Sequence, residues 1–461
     1  MNMEHDFSVK EKHIVLTACC IGAFLAPLIT TMINLAVPNI SDEFGISAHA
    51  QGWLIMSYFL SSVAFMIPMS RLSDIYGKKP MFILGIIIVL ISSLMSALSP
   101  DFIMLLVWRL AAGLGTACIS STSISMIAQV YPKAHRGLPL ALNTMCIYIG
   151  ASIGPVFGGI ITESFGWRYM FCSIIPFSAA ALSVMIFFRK DLRTSEGEPF
   201  DLKGSLLYGT GIVALMYGLL TVPDIMSAAF IAFGIVLLIA FFNYEMKERY
   251  PVLAVGLFKG RTFGRSAFAA FLNYGSSYAI IFTMSLYLQS VCGMSPGAAG
   301  MVILIQPIVQ TVITPFAGRS SDMIDPRILT TAGMLMMCFA TAMMTTLSAD
   351  ADMTKVYVIL IAAGMGYALF SSPNTNMIMC SVNERDYSGS SGVIAVMRQV
   401  GMMTSVAVVM CMIALTMGTD THIQEMKDEF ITAVRYTFSV CFMIALAGAF
   451  MTWFSKEKDT A

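Results

Sequence analysis

Fourteen apolar blocks of about twenty residues dominate this chain. They run approximately over 14–33, 51–69, 80–98, 102–126, 138–160, 167–188, 204–222, 226–244, 266–290, 298–317, 328–347, 356–379, 390–415 and 432–454. A helix of about 20 residues crosses about 30 Å of hydrocarbon, since each residue rises about 1.5 Å. Only 12% of the 461 residues are charged and 57% are hydrophobic, against about 25% charged in a soluble domain. An all-α integral membrane fold with fourteen transmembrane helices is expected. The short connections make most neighbours antiparallel hairpins. The polar start, MNMEHDFSVKEKH, has no apolar core leading to a small-residue cleavage site, so the first block is expected to stay as a span.

An even number of spans puts both termini on one side, and positive charge selects which. With the termini inside, the inner loops and tails collect Arg71, Lys78, Lys79, Lys133, Arg136, Arg189, Lys190 and others. The outer side holds Arg168, Lys355, Lys427 and Arg435. A split of about 21 to 4 predicts cytoplasmic termini and a multi-pass protein of the cell membrane.

Several function classes are disfavoured. Net charge is zero, so nothing suggests a nucleic-acid partner. The ten cysteines lie mostly within apolar blocks and lack CxxC spacing, which suits small packing residues. None of the five histidines sits deep in a span or at metal-ligand spacing, so no metal is expected. A GxxxxGK[ST] phosphate loop is absent, which disfavours an ATP-driven pump. No enzymatic activity and no cofactor are expected.

Two inner loops resemble each other. SRLSDIYGKK, residues 70–79, follows span 2, and GRSSDMIDPR, residues 318–327, follows span 10. Both place Arg second, Ser fourth and Asp fifth. If span 10 repeats span 2, spans 9–14 repeat spans 1–6. The expected domains are then an N-terminal half (1–190), an inserted helix pair, spans 7 and 8 (191–262), and a C-terminal half (263–461). Six plus six helices around a central pathway is a transporter plan.

On these residues the chain resembles the major facilitator superfamily. More narrowly, it is similar over nearly its whole length to the fourteen-helix drug:proton antiporter family of multidrug exporters. That family's loop after helix 2, GxLaDrxGrk, is matched by Leu72, Asp74, Gly77, Lys78 and Lys79, with Ser70 in place of the first glycine. Its helix 4 motif RxxxGxG is matched by Arg109, Gly113 and Gly115. Its helix 5 signature, GxxxGPxxGG, is matched in full by Gly150, Gly154, Pro155, Gly158 and Gly159. FDLKG, residues 200–204, resembles the family's entry to its extra helix pair, and LYLQSVCGMSPGAAG, residues 286–300, its helix 9–10 junction.

The resemblance implies that Asp74, Gly77, Lys78 and Lys79, with Gly318 and Asp322 in the second loop, latch a cytoplasmic gate. Ordinary solvated loop charge is the plainer alternative. It implies that Arg109 assists proton transfer. A charge at that depth needs a partner or a task in any case, and a structural arginine bonding backbone carbonyls would also meet that need. Arg398, within span 13, falls under the same reasoning. Gly150, Gly154 and Gly158 recur every fourth residue and so share a helix face, where small residues let another backbone approach. Pro155 removes a helical hydrogen bond and favours a bend. A bent, tightly packed helix sealing the outer half of a pathway is the expectation.

One family element is missing. Helix 1 usually carries an acid in a phrase like LDxTIVNVALP, whereas this chain reads LITTMINLAVP, with Ile29 in the acid's place. Every Asp and Glu falls in a loop, a tail or at a span end, Glu163 being among the nearest to an interior. A cavity with arginines and no carboxylate suits neutral or anionic amphipathic substrates. Asn34, Tyr58, Gln306, Asn374, Asn273, Tyr274 and Asn376 are candidates to line it, though interhelical hydrogen bonding would equally occupy them. The thirty-eight methionines suit either apolar packing or an adaptable cavity. The expected function is secondary, ion- or proton-coupled export of small organic molecules, with spans 1–6 rocking against spans 9–14. An importer or facilitator of a small organic anion is the alternative.

Overall fold

The computed structural model describes residues 7–45, 48–132, 135–190, 192–221, 225–253, 255–294, 296–321, 323–348, 352–417 and 427–454. Among these the chain is helical, with no strand. Sixteen helices follow in order: α1 (Val9–Phe44), α2 (Ala48–Tyr76), α3 (Lys78–Ala97), α4 (Phe102–Val130), α5 (Gly137–Phe165), α6 (Trp167–Cys172), α7 (Ile174–Ile186), α8 (Leu202–Leu220), α9 (Ile225–Glu245), α10 (Arg261–Leu286), α11 (Pro296–Ile303), α12 (Ile305–Ser320), α13 (Pro326–Met344), α14 (Met353–Cys380), α15 (Tyr387–Met417) and α16 (Lys427–Trp453). Twelve stretches of this helical framework are long and apolar enough to cross a membrane. Expected spans 6 and 10 are each divided in two, between α6 and α7 and between α11 and α12. Spans 2 and 9 fall on α2 and α10, which are not among the twelve. In α10 the buried run Asn273–Ser277 lowers the apolar character that the flanking residues supply. The chain is a multi-pass membrane protein.

Local chemistry fixes where the helices begin. Asp101 accepts the Met104 N–H at 2.8 Å and caps α4. Asp352 caps α14 in the same way, and Asp325 caps α13, where Pro326 at the first helical position has no N–H to satisfy. Between α2 and α3 the chain turns on Gly77, whose φ of 105° is open to glycine and strained for other residues.

By its contacts the chain forms two compact units. One holds residues 1–213, 238–255 and 382–396; the other holds 214–237, 256–381 and 397–461. In the first unit α1 packs along α5 and α7, α2 along α4, and α3 along α4 and α7. In the second, α12 packs along α14, α13 along α14 and α16, and α10 along α16. The pairings recur helix for helix, with α2–α4 answering to α12–α14 and α3–α4 to α13–α14.

The glycines show the same recurrence at atomic detail. A Cβ at Gly85 would meet the Gly115 carbonyl oxygen at 2.7 Å, and one at Gly115 would meet the Gly85 carbonyl at 2.9 Å. Gly333 and Gly366 make the same reciprocal contact at 2.7 and 2.9 Å. One shift in residue number carries Tyr58, Arg71 and Gly85 to Gln306, Arg319 and Gly333. A second carries Gly113, Gly115 and Gly150 to Gly364, Gly366 and Gly401.

Candidate functional site

Among the described residues Arg109 is the largest side chain with no exposure at all. Its Nε donates to the Leu54 carbonyl at 3.0 Å. Its guanidinium carbon lies 4.9 Å from the centroid of the Tyr58 ring, a cation–π distance. Nη1 and Nη2, by contrast, are buried with no hydrogen-bond partner among the described residues. Leaving a guanidinium so partly satisfied costs several kcal/mol in a protein interior. One edge of the group is therefore structural, and the other is free to receive an oxyanion or a polar ligand atom. The approach of α2 to α4 that brings this about depends on Gly113, where a Cβ would collide with the Tyr58 carbonyl and meet Ser61 Cβ at 2.9 Å.

The second unit has buried polar groups in the corresponding helices, but they are neutral. Gln306, at the position answering to Tyr58, has no exposure, and both of its amide atoms lack a partner among the described residues. Asn374 donates to the Ser266 carbonyl at 3.2 Å, and its oxygen has no partner among the described residues. Asn273 donates to Met334 Sδ at 3.1 Å, and its oxygen likewise has no partner among them. The Tyr274 hydroxyl lies 3.1 Å from Ser371 Oγ. Asn376 spends its amide on Ser321 Oγ at 3.2 Å, a helix-to-helix bond. Arg398 is half-buried on α15, and no ion pair holds it among the described residues. The side chain of Asn34 lies outside the described residues.

The loop after α2 is a network rather than a set of solvated charges. Asp74 is 4% exposed and its carboxylate lies 3.3 Å from Lys78 Nζ. Neither Lys79 nor Arg71 pairs with it. Arg71 instead reaches Glu198 at 2.6 Å and Ser195 Oγ at 3.2 Å. The chain after α7 folds back over this loop. Thr194 donates its hydroxyl to Asp74 Oδ1 at 2.7 Å, Thr194 and Ser195 donate N–H groups to the Asp74 carbonyl, and Leu192 accepts from the Lys78 N–H at 3.3 Å. In the second loop Gly318 is buried and its carbonyl accepts from Ser321 Oγ at 2.7 Å. Asp322 lies outside the described residues, and Arg327 pairs with Asp325.

The helix 5 stripe faces α1 at three successive levels. A Cβ at Gly150 would collide with the Phe24 carbonyl, one at Gly154 with Thr31 Oγ1, and one at Gly158 would stand 2.9 Å from Met32 Cα. Pro155 and Gly159 lie beside this stripe, half-buried. Ile29, in the place of the family's acid, is core at 3% exposure. Glu163 is exposed and adds no buried carboxylate. Beyond the bilayer-length part of α1, Glu43 accepts from the Trp167 indole at 2.7 Å and pairs with Arg168 at 2.6 Å. The indole hydrogen bond, then the guanidinium, hold its carboxyl below the usual range.

The sequence marks neither Arg136 nor Glu245 as a site, and both are buried. Arg136 counts there as a topology charge, yet it is 2% exposed and donates to the Tyr387 hydroxyl at 3.0 Å and the Tyr131 carbonyl at 3.2 Å. Glu245, at the end of α9, is 3% exposed. Neither carries a motif. A glutamate closing a helix in NYEMKERY reads as solvated, and only the chain folding back over it reveals otherwise.

Comparison with known proteins agrees with this architecture. The family model described as Major Facilitator Superfamily matches residues 19–261 and 266–461. The riboflavin transporter RibZ of Clostridioides difficile is 26% identical over 98% of this chain and 99% of its own length. The multidrug resistance protein Stp of Mycobacterium tuberculosis is 25% identical over 89% of this chain and 78% of its own. Among solved structures, the human organic anion transporter MFSD10 (TETRAN) superposes with a TM-score of 0.73, at 13% identity, over 96% of this chain and 99% of its own. At that identity the likeness speaks to the fold.

Proposed function

We propose, from the premise that this chain belongs to the major facilitator superfamily, that it is a secondary exporter of small amphipathic molecules, neutral or anionic, driven by a proton or other ion gradient. The mode of action is alternating access on fourteen helices, a six-helix half (1–190), an inserted pair (191–262) and a second six-helix half (263–461). Both termini face the cytoplasm and the membrane is the cell membrane. Likeness to multidrug resistance and efflux proteins supports export, as does the full helix 5 signature.

The observation that carries the substrate class is the guanidinium of Arg109, buried with two nitrogens unpartnered and no carboxylate paired with it among the described residues. A buried cation of this kind attracts an anionic or strongly polarised group and repels a lipophilic cation. The amides of Gln306, Asn374 and Asn273 can donate to or accept from a neutral polar ligand. A second reading, import or facilitated passage of a small organic anion, is favoured by Ile29, which leaves the middle of helix 1 without a titrating acid.

Purified protein in sealed vesicles under an imposed pH gradient separates the two. Gradient-driven movement toward the exterior-equivalent side supports coupled export. Uptake indifferent to the gradient supports the facilitator and removes proton coupling.

A further inference from the structure

At one end of the helix pair α8 and α9, two carboxyl groups meet. Asp201 precedes α8 and uses Oδ1 to accept the Gly204 N–H at 2.9 Å and the Tyr244 hydroxyl at 3.3 Å. Glu245 closes α9 and uses Oε2 to accept the Leu253 N–H at 3.1 Å. Each acid thus spends one oxygen on neutral donors. The other two oxygens, Asp201 Oδ2 and Glu245 Oε1, are buried with no donor among the described residues. A Cβ at Gly204 would collide with both of them, so the two atoms border the same small space. They are neighbours across the one position that a Gly204 Cβ would take. Glu245 itself is 97% shielded, its exposure being 3%.

Among the described residues no ion pair joins a cation to either acid. Lys203 places its ammonium 4.8 Å from the Tyr244 ring centroid, and Arg249 stacks on Tyr250 at 5.3 Å. The Tyr244 hydroxyl is shared with Glu248, which adds negative charge nearby. Two ionised carboxylates in one dry space repel strongly, and a single proton between them turns that repulsion into a short hydrogen bond. The surroundings make the site consequential. Leu253, whose N–H Glu245 holds, lies 3.8 Å from the position a Cβ would take at Gly389, in the first turn of α15. On the other side, the Tyr208 hydroxyl of α8 donates to the Val63 carbonyl of α2 at 2.9 Å.

We propose that Asp201 and Glu245 form a proton-binding site, one proton shared between Asp201 Oδ2 and Glu245 Oε1, which pins the segment around Leu253 against the start of α15. The proton is taken from water on binding and returned to it on release. The site lies apart from Arg109 and holds whichever direction transport takes. Release leaves two facing carboxylates, which part and loosen the Leu253 segment as pH rises.

Infrared difference spectroscopy on the purified protein tests this without any transport assay. Wild type shows a protonated carboxyl band at pH 7 that bleaches as the pH rises. Glu245→Gln removes the band, Asp201→Asn removes or markedly shifts it, and the near-isosteric double variant lacks it while remaining folded. Hydrogen exchange around Leu253, corrected for its intrinsic pH dependence, accelerates about tenfold or more in wild type across the same range. It stays flat in the double variant. Absence of the band in wild type, its persistence unchanged in Asp201→Asn, or exchange that does not follow the titration overturns the proposal.

Discussion

The two units share a glycine framework and differ in what they place upon it. In the first, α5 meets α1 through glycine at three levels, Gly150, Gly154 and Gly158. The shift that carries Gly150 to Gly401 carries the other two to Ser405 and Val409. Gly401 keeps the close approach, a Cβ there meeting the Phe271 carbonyl at 2.7 Å. Ser405 replaces bare contact by a hydrogen bond from the Ala279 N–H at 2.7 Å, and Val409 fills space that Gly158 leaves to the neighbouring backbone. The same divergence appears in polarity. Arg109 answers to Leu360, while Tyr58 answers to the unpartnered amide of Gln306. A duplicated frame thus tolerates different furnishing wherever the backbone contact itself is not at stake. At these positions the first unit relies on bare backbone contact and carries the buried cation, and the second uses a hydrogen bond and a neutral amide.

The largest expected effect comes from filling the tight stripe. Gly154→Leu drives a side chain into Thr31 and the α1 backbone, where overpacking costs about 1–3 kcal/mol or more. Transport in vesicles falls below detection while the protein still inserts and purifies. Near-normal transport would break the idea that the first unit relies on this seam. Next is Arg109→Leu, which installs the residue of the second unit. Loss of a charge-assisted hydrogen bond of about 1.5–3 kcal/mol weakens anionic substrates roughly 10- to 100-fold, read as KM, and leaves neutral ones much less affected. Gln306→Leu removes a neutral partner worth about 1 kcal/mol, so KM rises roughly fivefold for polar neutral substrates. If Gln306→Leu proves costlier than Arg109→Leu for anions, the assignment of charge to the first unit fails.

Much of this comparison is legible in the sequence, and the reasons are physical. Long apolar blocks have few alternatives in a bilayer, so existence of the helices follows from composition. The stripe GASIGPVFGG is readable because glycine spacing maps directly onto a helix face. The breaks at Ser173 and Leu304 are not, since both flanks remain apolar across them. At the site, Arg109 stands out because a charge within a span is rare. The pairing of Asp74 with Lys78, and of Arg71 with Glu198, is not legible, because the chain after α7 that folds back over the loop fixes it. Glu245 was invisible for the same reason: its burial is supplied by a distant segment and no local pattern encodes it.

The smallest effect concerns the periphery of the first unit. Glu43 carries a carboxyl held below the usual range by Trp167 and Arg168. Its ionised form favours the folded state, so this contribution is present above the unfolded carboxyl range and fades as pH falls through the depressed value. Because the pair is 37% and 42% exposed, the loss is small. Glu43→Gln therefore lowers thermal stability slightly at neutral pH and not at all in acid. An equal decrement at both would remove the charge from the explanation.

The central claim is that the buried cation of the first unit selects the substrate. Its most direct measurement is uptake into vesicles of two molecules with one skeleton, one bearing a carboxylate and the other an amine, by wild type and by Arg109→Leu. The account predicts that wild type prefers the anion and that the variant loses this preference while still moving a neutral analogue. Preference of wild type for the cation, or an anion preference unchanged in Arg109→Leu, would contradict it.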